Sequence, residues 1–279
     1  MKLDKLKKNF ESKYDCKLDL NTLLPVKFFL AYYIHAVLNK IDILRTDKFR
    51  RKNISDFENK FKTISIDSSN YFSKLCFLGG KFGSDKSVFC TKTPYKHSYT
   101  AVYNILFSHL KNNQINFAEI GILQNASVKM WREFFTNANI DGFEFNEDLI
   151  ITAENEKLKN TKYFKIDVRN RESIKKSFLK TNKEYDVIID DSTHIFNDQI
   201  NIIFTAKNFL KPGGYLIIED IFSKKTKYSE KNYYQAIKEI KSEFSDIFFI
   251  NCSNKYNYGG LFFNHKVLVL IKNNHSDNS

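Results

Sequence analysis

The chain has 279 residues, 42% hydrophobic and 15% aromatic, which is enough apolar side chain for a full core and too aromatic for a disordered chain. Three Pro and nine Gly exclude collagen-like and Pro-rich linker classes. Forty-four basic against 32 acidic residues leave a net charge of +12, yet only six of the cations are Arg. Scattered Lys lacks the planar fork that grips phosphate, so a nucleic-acid partner is disfavoured.

The first sixty residues hold 14 basic and 8 acidic residues, half the net charge in a fifth of the chain, and their patterning is helical. Phe28–Asn39 is uncharged, but its twelve residues fall short of the ~20 needed to span a bilayer. It reads as a buried or oligomer-packing helix, and a membrane partner is disfavoured. No secretory signal opens the chain, and four Cys without a C-x-x-C spacing read as free thiols in a reducing compartment, the cytoplasm. The expected division is a helical N-terminal extension over 1–75 (oligomerisation or lid), an α/β domain over 76–272 and a frayed tail over 273–279.

From Asn116 onward, short β-rich apolar runs alternate with amphipathic segments, the texture of βαβ units around a parallel sheet. Strands are expected at Asn116–Gly121, Ile140–Phe145, Lys162–Asp167, Tyr185–Asp190, Gly214–Glu219, Ile247–Cys252 and Lys266–Ile271. Helices are expected at Ser127–Phe135, Leu149–Lys157, Arg171–Lys180, Asn197–Phe209 and Glu230–Phe244. Lys211-Pro-Gly-Gly214 reads as a helix stop and turn. The fold class is therefore α/β, a doubly wound and mostly parallel sheet of seven strands with the last antiparallel. Such sheets bind ligands where their strands end.

The first of these strands ends in Glu119-Ile-Gly121, with one glycine where a dinucleotide fingerprint needs three. Asn125, which tolerates positive φ, takes the place of the second. That loop suits a cofactor without pyrophosphate, such as S-adenosylmethionine, better than NAD. Glu144 ends the second strand, where a ribose-binding acid is expected, and Asp167 ends the third, within reach of an adenine amino group. The next two strands deliver adjacent acids, Asp190/Asp191 and Glu219/Asp220. Such a crowd of carboxylates calls for a hard divalent cation, and His194 can stand beside it as a general base. Alternatively, Asp191, Ser192 and Thr193 could simply cap the following helix. Upstream, Gly83-Ser-Asp-Lys86 and His97-Ser-Tyr99-Thr form a polar segment that reads as a lid over the strand ends.

Taken in order, Gly83-Ser-Asp-Lys86, His97-x-Tyr99-Thr, Glu119-Ile-Gly-x5-Ser127, Met130-Trp-Arg132, Asp190-Asp-x-x-His194, Lys211-Pro-Gly-Gly and Glu219-Asp220 resemble the class I S-adenosylmethionine-dependent methyltransferases. Within them the pattern resembles the metal-dependent sugar O-methyltransferases of macrolide and related biosynthesis. The likeness runs from about residue 80 to 271, and it departs where Asp191-Ser-Thr-His194 stands for the usual Asp-Gly-Ser-His. It implies a Rossmann-like methyltransferase sheet, with cofactor contacts from Glu119, Gly121, Ser127, Glu144, Asp167, Asp190 and Tyr99. It further implies Mg2+ ligation by Asp191, Glu219 and Asp220, with His194, or Asp191 through the metal, as catalytic base. The expected activity is methylation of a hydroxyl on a sugar-containing small molecule, by a homo-oligomer assembled through the N-terminal helices. Kept beside it are a metal-independent methyltransferase acting on another small molecule or RNA, and a basic nucleic-acid-binding protein.

Overall fold

The computed structural model describes residues 60–260 and 263–274, together with Lys8, Glu11, Ile34, Val37 and Leu38, which are helical. The chain divides into two compact units, Met1–Glu58 and Asn59–Ser279, and the sheet with its covering helices belongs to the second. Apart from those five positions, the helical reading of the first sixty residues, its oligomerisation role and the extreme tail fall outside the described residues.

Tyr185–Asp190 (β5) carries Val187-Ile-Ile189, buried on both faces, as a parallel strand covered by helices on each side must be. Around it run Lys62–Asp67 (β1), Asn116–Ile120 (β2), Asn139–Glu144 (β3), Thr161–Lys165 (β4), Leu210–Ile218 (β6), Phe244–Ser253 (β7) and Lys266–Lys272 (β8). They form one eight-stranded sheet in the order β1-β7-β8-β6-β5-β2-β3-β4. Every neighbouring pair is parallel except those made by β8, which lies antiparallel between β6 and β7. The chain reverses its direction of travel across the sheet between β2 and β5, which is the switch point where doubly wound sheets open a crevice.

Helices Lys74–Phe82 (α1), Tyr99–Phe107 (α2), Ala126–Phe134 (α3), Glu147–Asn155 (α4), Arg171–Leu179 (α5), Phe196–Ala206 (α6) and Glu230–Ile237 (α7) cover the sheet. Alternation along each strand builds two cores. Phe117, Val187, Ile189 and Ile217 face Tyr103, Phe107, Trp131 and Phe135 on one side. Ala118, Ile188, Leu216 and Ile218 face Ile174, Phe178, Ile203 and Ile237 on the other.

Two expectations are corrected. An eighth strand, β1, stands at the sheet edge inside the stretch assigned to the helical extension, pairing in parallel with β7. It is exposed along most of its length, and its alternation, Ile64 and Ile66 between Thr63, Ser65 and Asp67, is too short to mark a strand by itself. Lys211-Pro-Gly-Gly214 does not precede its strand but interrupts β6: Leu210 pairs with Tyr185 and Tyr215 with Val187, and the residues between bulge out. Gly213 turns there at φ 72°, and a side chain on Gly214 would press against the carbonyl oxygens of Lys211 and Tyr185.

Candidate active site at the strand ends

The crevice is assembled from backbone that few residues tolerate. Gly121 leaves β2 at φ 87°, and a Cβ there would lie 2.2 Å from the carbonyl oxygen of Asp191, so β2 and β5 can end side by side only over a glycine. Leu123, Asn125, His194 and Asp220 also adopt positive φ, at 45°, 63°, 56° and 58°. Asn125 thus takes the conformation expected of it, and its amide bonds Glu156 and the Tyr163 hydroxyl. Two of the strained positions, His194 and Asp220, are those expected to do chemistry.

Donor atoms of Asp191, His194 and Asp220 lie within 4.8 Å of one another. His194 Nε2 is 3.3 Å from an Asp220 oxygen and 4.0 Å from one of Asp191. Asp220 also accepts the Tyr99 hydroxyl at 2.6 Å and has His97 Nδ1 at 3.9 Å. Burial pushes the Asp220 carboxyl up, but His97, His194 and the Tyr99 bond outweigh it and hold the pKa below the usual range. His97 Nδ1 is in turn 2.9 Å from His265 Nδ1, and burial together with that neighbour pushes His265 down to about 4. The cluster does not cap the next helix, since α6 begins only at Phe196 with Ile195 at its N-cap.

Glu219, expected beside Asp191 and Asp220, shares the Lys86 ammonium with Asp191 and is not part of the Asp191–His194–Asp220 group. One oxygen accepts the Tyr103 hydroxyl at 2.6 Å and the other accepts the Lys86 ammonium at 2.6 Å. Lys86 also bonds Asp191 and lies 3.4 Å from Glu119, so a single side chain, 1% exposed, touches carboxylates delivered by three strands. Burial opposes its charge, but Asp191, Glu219 and Glu119 together keep its pKa well above that of free lysine. The segment read as a polar lid is therefore part of the floor: Lys86, Ser87, His97, Ser98 and Tyr99 are all buried. Spacing could not reveal this, because a Gly-Ser-Asp-Lys loop looks the same over a site or under it. His265 carried no signal either, standing in no motif.

The expected cofactor residues line the adjoining strand ends. Glu119 is fully buried, accepts the Ser127 hydroxyl at 2.8 Å, and leaves its other oxygen without a hydrogen bond from any described residue. Burial raises its pKa to about 7, against the pull of Lys86 and Ser127. Glu144 gathers four backbone N–H groups, those of Ile122, Leu123, Phe145 and Asn146, and so ties the loops after β2 and β3 together. Asp190 turns back onto Ser192, and burial raises it to about 6. Asp167 pairs with Arg169 at 2.8 Å, apart from the acid cluster. Tyr99, expected at the cofactor, bonds Asp220 and the Asn264 carbonyl.

Residues 124–262 match a family model described as a methyltransferase domain. A tetracenomycin 3'-O-methyltransferase of Streptomyces olivaceus is 24% identical over 140 residues, 46% of this chain and 33% of that protein. The mycinamicin VI 2''-O-methyltransferase of Micromonospora griseorubida is 26% identical over 48% of this chain and 34% of its own length. The match thus spans about a third of each relative. Among solved structures, the MycE methyltransferase of the mycinamycin pathway, in complex with Mg, SAH and mycinamycin VI, superposes with a TM-score of 0.54 at 16% identity. That superposition covers 75% of this chain and 57% of that one, and it establishes the fold. No helix among the described residues is long and apolar enough to cross a membrane.

Proposed function

We propose that this chain, which resembles the class I S-adenosylmethionine-dependent methyltransferases in its fold and in the order of its motifs, methylates a hydroxyl of a sugar-containing small molecule with the help of a bound divalent cation. The observation that carries the reading is the convergence of Asp191, His194 and Asp220 at the switch point, beside the buried Glu119. The donor set fits a hard cation: Asp191 and Asp220 offer carboxylate oxygens at a partly open crevice, and Mg2+ completes such a shell with water or substrate oxygens. The Glu119 oxygen that faces Lys86 at 3.4 Å without a hydrogen bond, with Glu144 and Asp167 on neighbouring strand ends, fits a cofactor rich in amino and hydroxyl groups. When bound, S-adenosylmethionine supplies an activated methyl group and the cation lowers the pKa of a chelated hydroxyl.

The chain's own work is to bind, orient and move a proton. Asp191 and Asp220 fix the acceptor's face, and Lys86 with Tyr103 holds Glu219 behind them. His194, 30% exposed and 3.3 Å from Asp220, would take the acceptor hydroxyl's proton at Nε2 when the cofactor's methyl group is transferred to that oxygen. Asp220 stabilises the imidazolium that results. Holding oxygen and methyl in line supplies most of the remaining acceleration. Three free, buried cysteines, Cys76, Cys90 and Cys252, support the cytoplasm as its compartment.

The test is His194→Ala with a glycosylated acceptor. Turnover should fall roughly 10²–10⁴-fold, while cofactor affinity stays within a few-fold. Collapse of cofactor affinity, or surviving turnover, refutes the role of His194. Full activity in chelator refutes the cation. One observation favours a second reading, metal-independent transfer on the same fold: Lys86 already neutralises part of the cluster.

A further inference from the structure

The carboxylates at the strand ends already have a cation. Lys86 reaches them from the loop after α1, is 1% exposed, and touches Glu119 of β2, Asp191 after β5 and Glu219 after β6. These contacts leave the carboxylates unequally open to a metal ion. Glu219 has both oxygens engaged, one by Lys86 at 2.6 Å and one by Tyr103 at 2.6 Å. Asp191 keeps one oxygen toward His194 and gives the other to Lys86. Asp220 has no contact with Lys86; it is turned to Tyr99, His97 and His194.

We propose that the Lys86 ammonium is a built-in counter-cation that restricts the strand-end cluster to one weakly held divalent ion on the Asp191–Asp220 side and withholds Glu219 from it. This rests on reading that side as a cation site. Two physical effects point the same way. A fixed positive charge within an ion pair's length of Asp191 repels a dication bound to the same carboxylate, and at that separation salt screens little. Withholding a carboxylate also leaves a small hard ion to complete its shell with water or substrate hydroxyls. Such a site favours an ion that arrives with its acceptor over one held permanently. Lys86 is here a positioning residue, acting through Asp191 and Glu219.

The experiment is calorimetric titration of MgCl2, and separately MnCl2, into the full cofactor-free chain and its Lys86→Met variant, with each variant's melting curve recorded. The expected result is one equivalent of weakly bound ion in the native chain and at least tenfold tighter binding in K86M. A merely structural role for Lys86 would leave that affinity unchanged or weaken it. If the native chain binds and K86M gains less than tenfold, the proposal is overturned while the cation reading stands. A silent native chain with a binding K86M overturns the cation reading for the native protein, and with it the proposal of a weakly held ion there. If neither binds, both fail. Should K86M lose its cooperative melt, K86Q takes its place. A melt restored to either variant by Mg2+ alone supports the proposal, because the dication then replaces the ammonium, and failure of both to fold with Mg2+ overturns it.

Discussion

Replacing Glu119 by Gln tests how strongly the crevice disfavours its own charges. Glu119 is fully buried, and its pKa is raised from 4.5 to about 7 by burial, which outweighs the opposing pull of Lys86 and Ser127. Between those pH values the folded chain holds a proton that the unfolded chain has released, so stability falls as pH rises. Over the whole interval the loss is about 3 kcal/mol, present above pH 7 and recovered as pH falls towards 4.5. Gln keeps the shape and can still accept the Ser127 hydroxyl, but it does not titrate. Urea unfolding of the cation-free and cofactor-free protein across roughly pH 4.5–8 should therefore show E119Q gaining on the native chain as pH rises, by about 3 kcal/mol at the upper end. Titrating groups that do not interact with Glu119, Asp190 among them, contribute to both proteins and cancel in the difference. Parallel stability profiles for the two proteins would refute the reasoning.

Ser127→Ala removes a bond that favours the Glu119 carboxylate, so the upper end of that pH-dependent interval should move above 7 in the same unfolding series. Gly121→Ala forces a Cβ towards the Asp191 carbonyl from a positive φ. It should cost roughly 2–4 kcal/mol in urea unfolding, and a loss below about 1 kcal/mol would mean that the loops after β2 and β5 move apart freely. Asp141, fully buried on β3, accepts Lys183 at 2.7 Å and the Tyr185 hydroxyl at 2.7 Å. Its replacement by Ala strands both partners and should cost roughly 3–5 kcal/mol by the same measurement, with divalent-ion affinity unchanged.

Much of this molecule was legible in its residues. Seven strands and their order along the chain followed from apolar runs bounded by turn signals, since each strand reports its own burial through its own side chains. The acids at the strand ends were legible for the same local reason: a hydrophobic run that stops at Glu119, Asp190 or Glu219 puts a carboxylate where the sheet ends. Asn125 at positive φ was legible from its side-chain chemistry. What tertiary structure alone decided is how those acids are shared out. Strand β1 is short and exposed along most of its length, and its pairing with β7 is what joins it to the sheet edge. Lys86 lies 33 residues before Glu119 and 133 before Glu219, in a loop whose sequence gives no sign of burial. Its ammonium reaches three carboxylates because the sheet order brings β2, β5 and β6 side by side, a relation that no local periodicity encodes. The sequence determined that carboxylates would gather at the strand ends. Only packing determined that a lysine would be buried among them, because a charged side chain enters a core solely where opposite charges from distant segments converge to offset its desolvation.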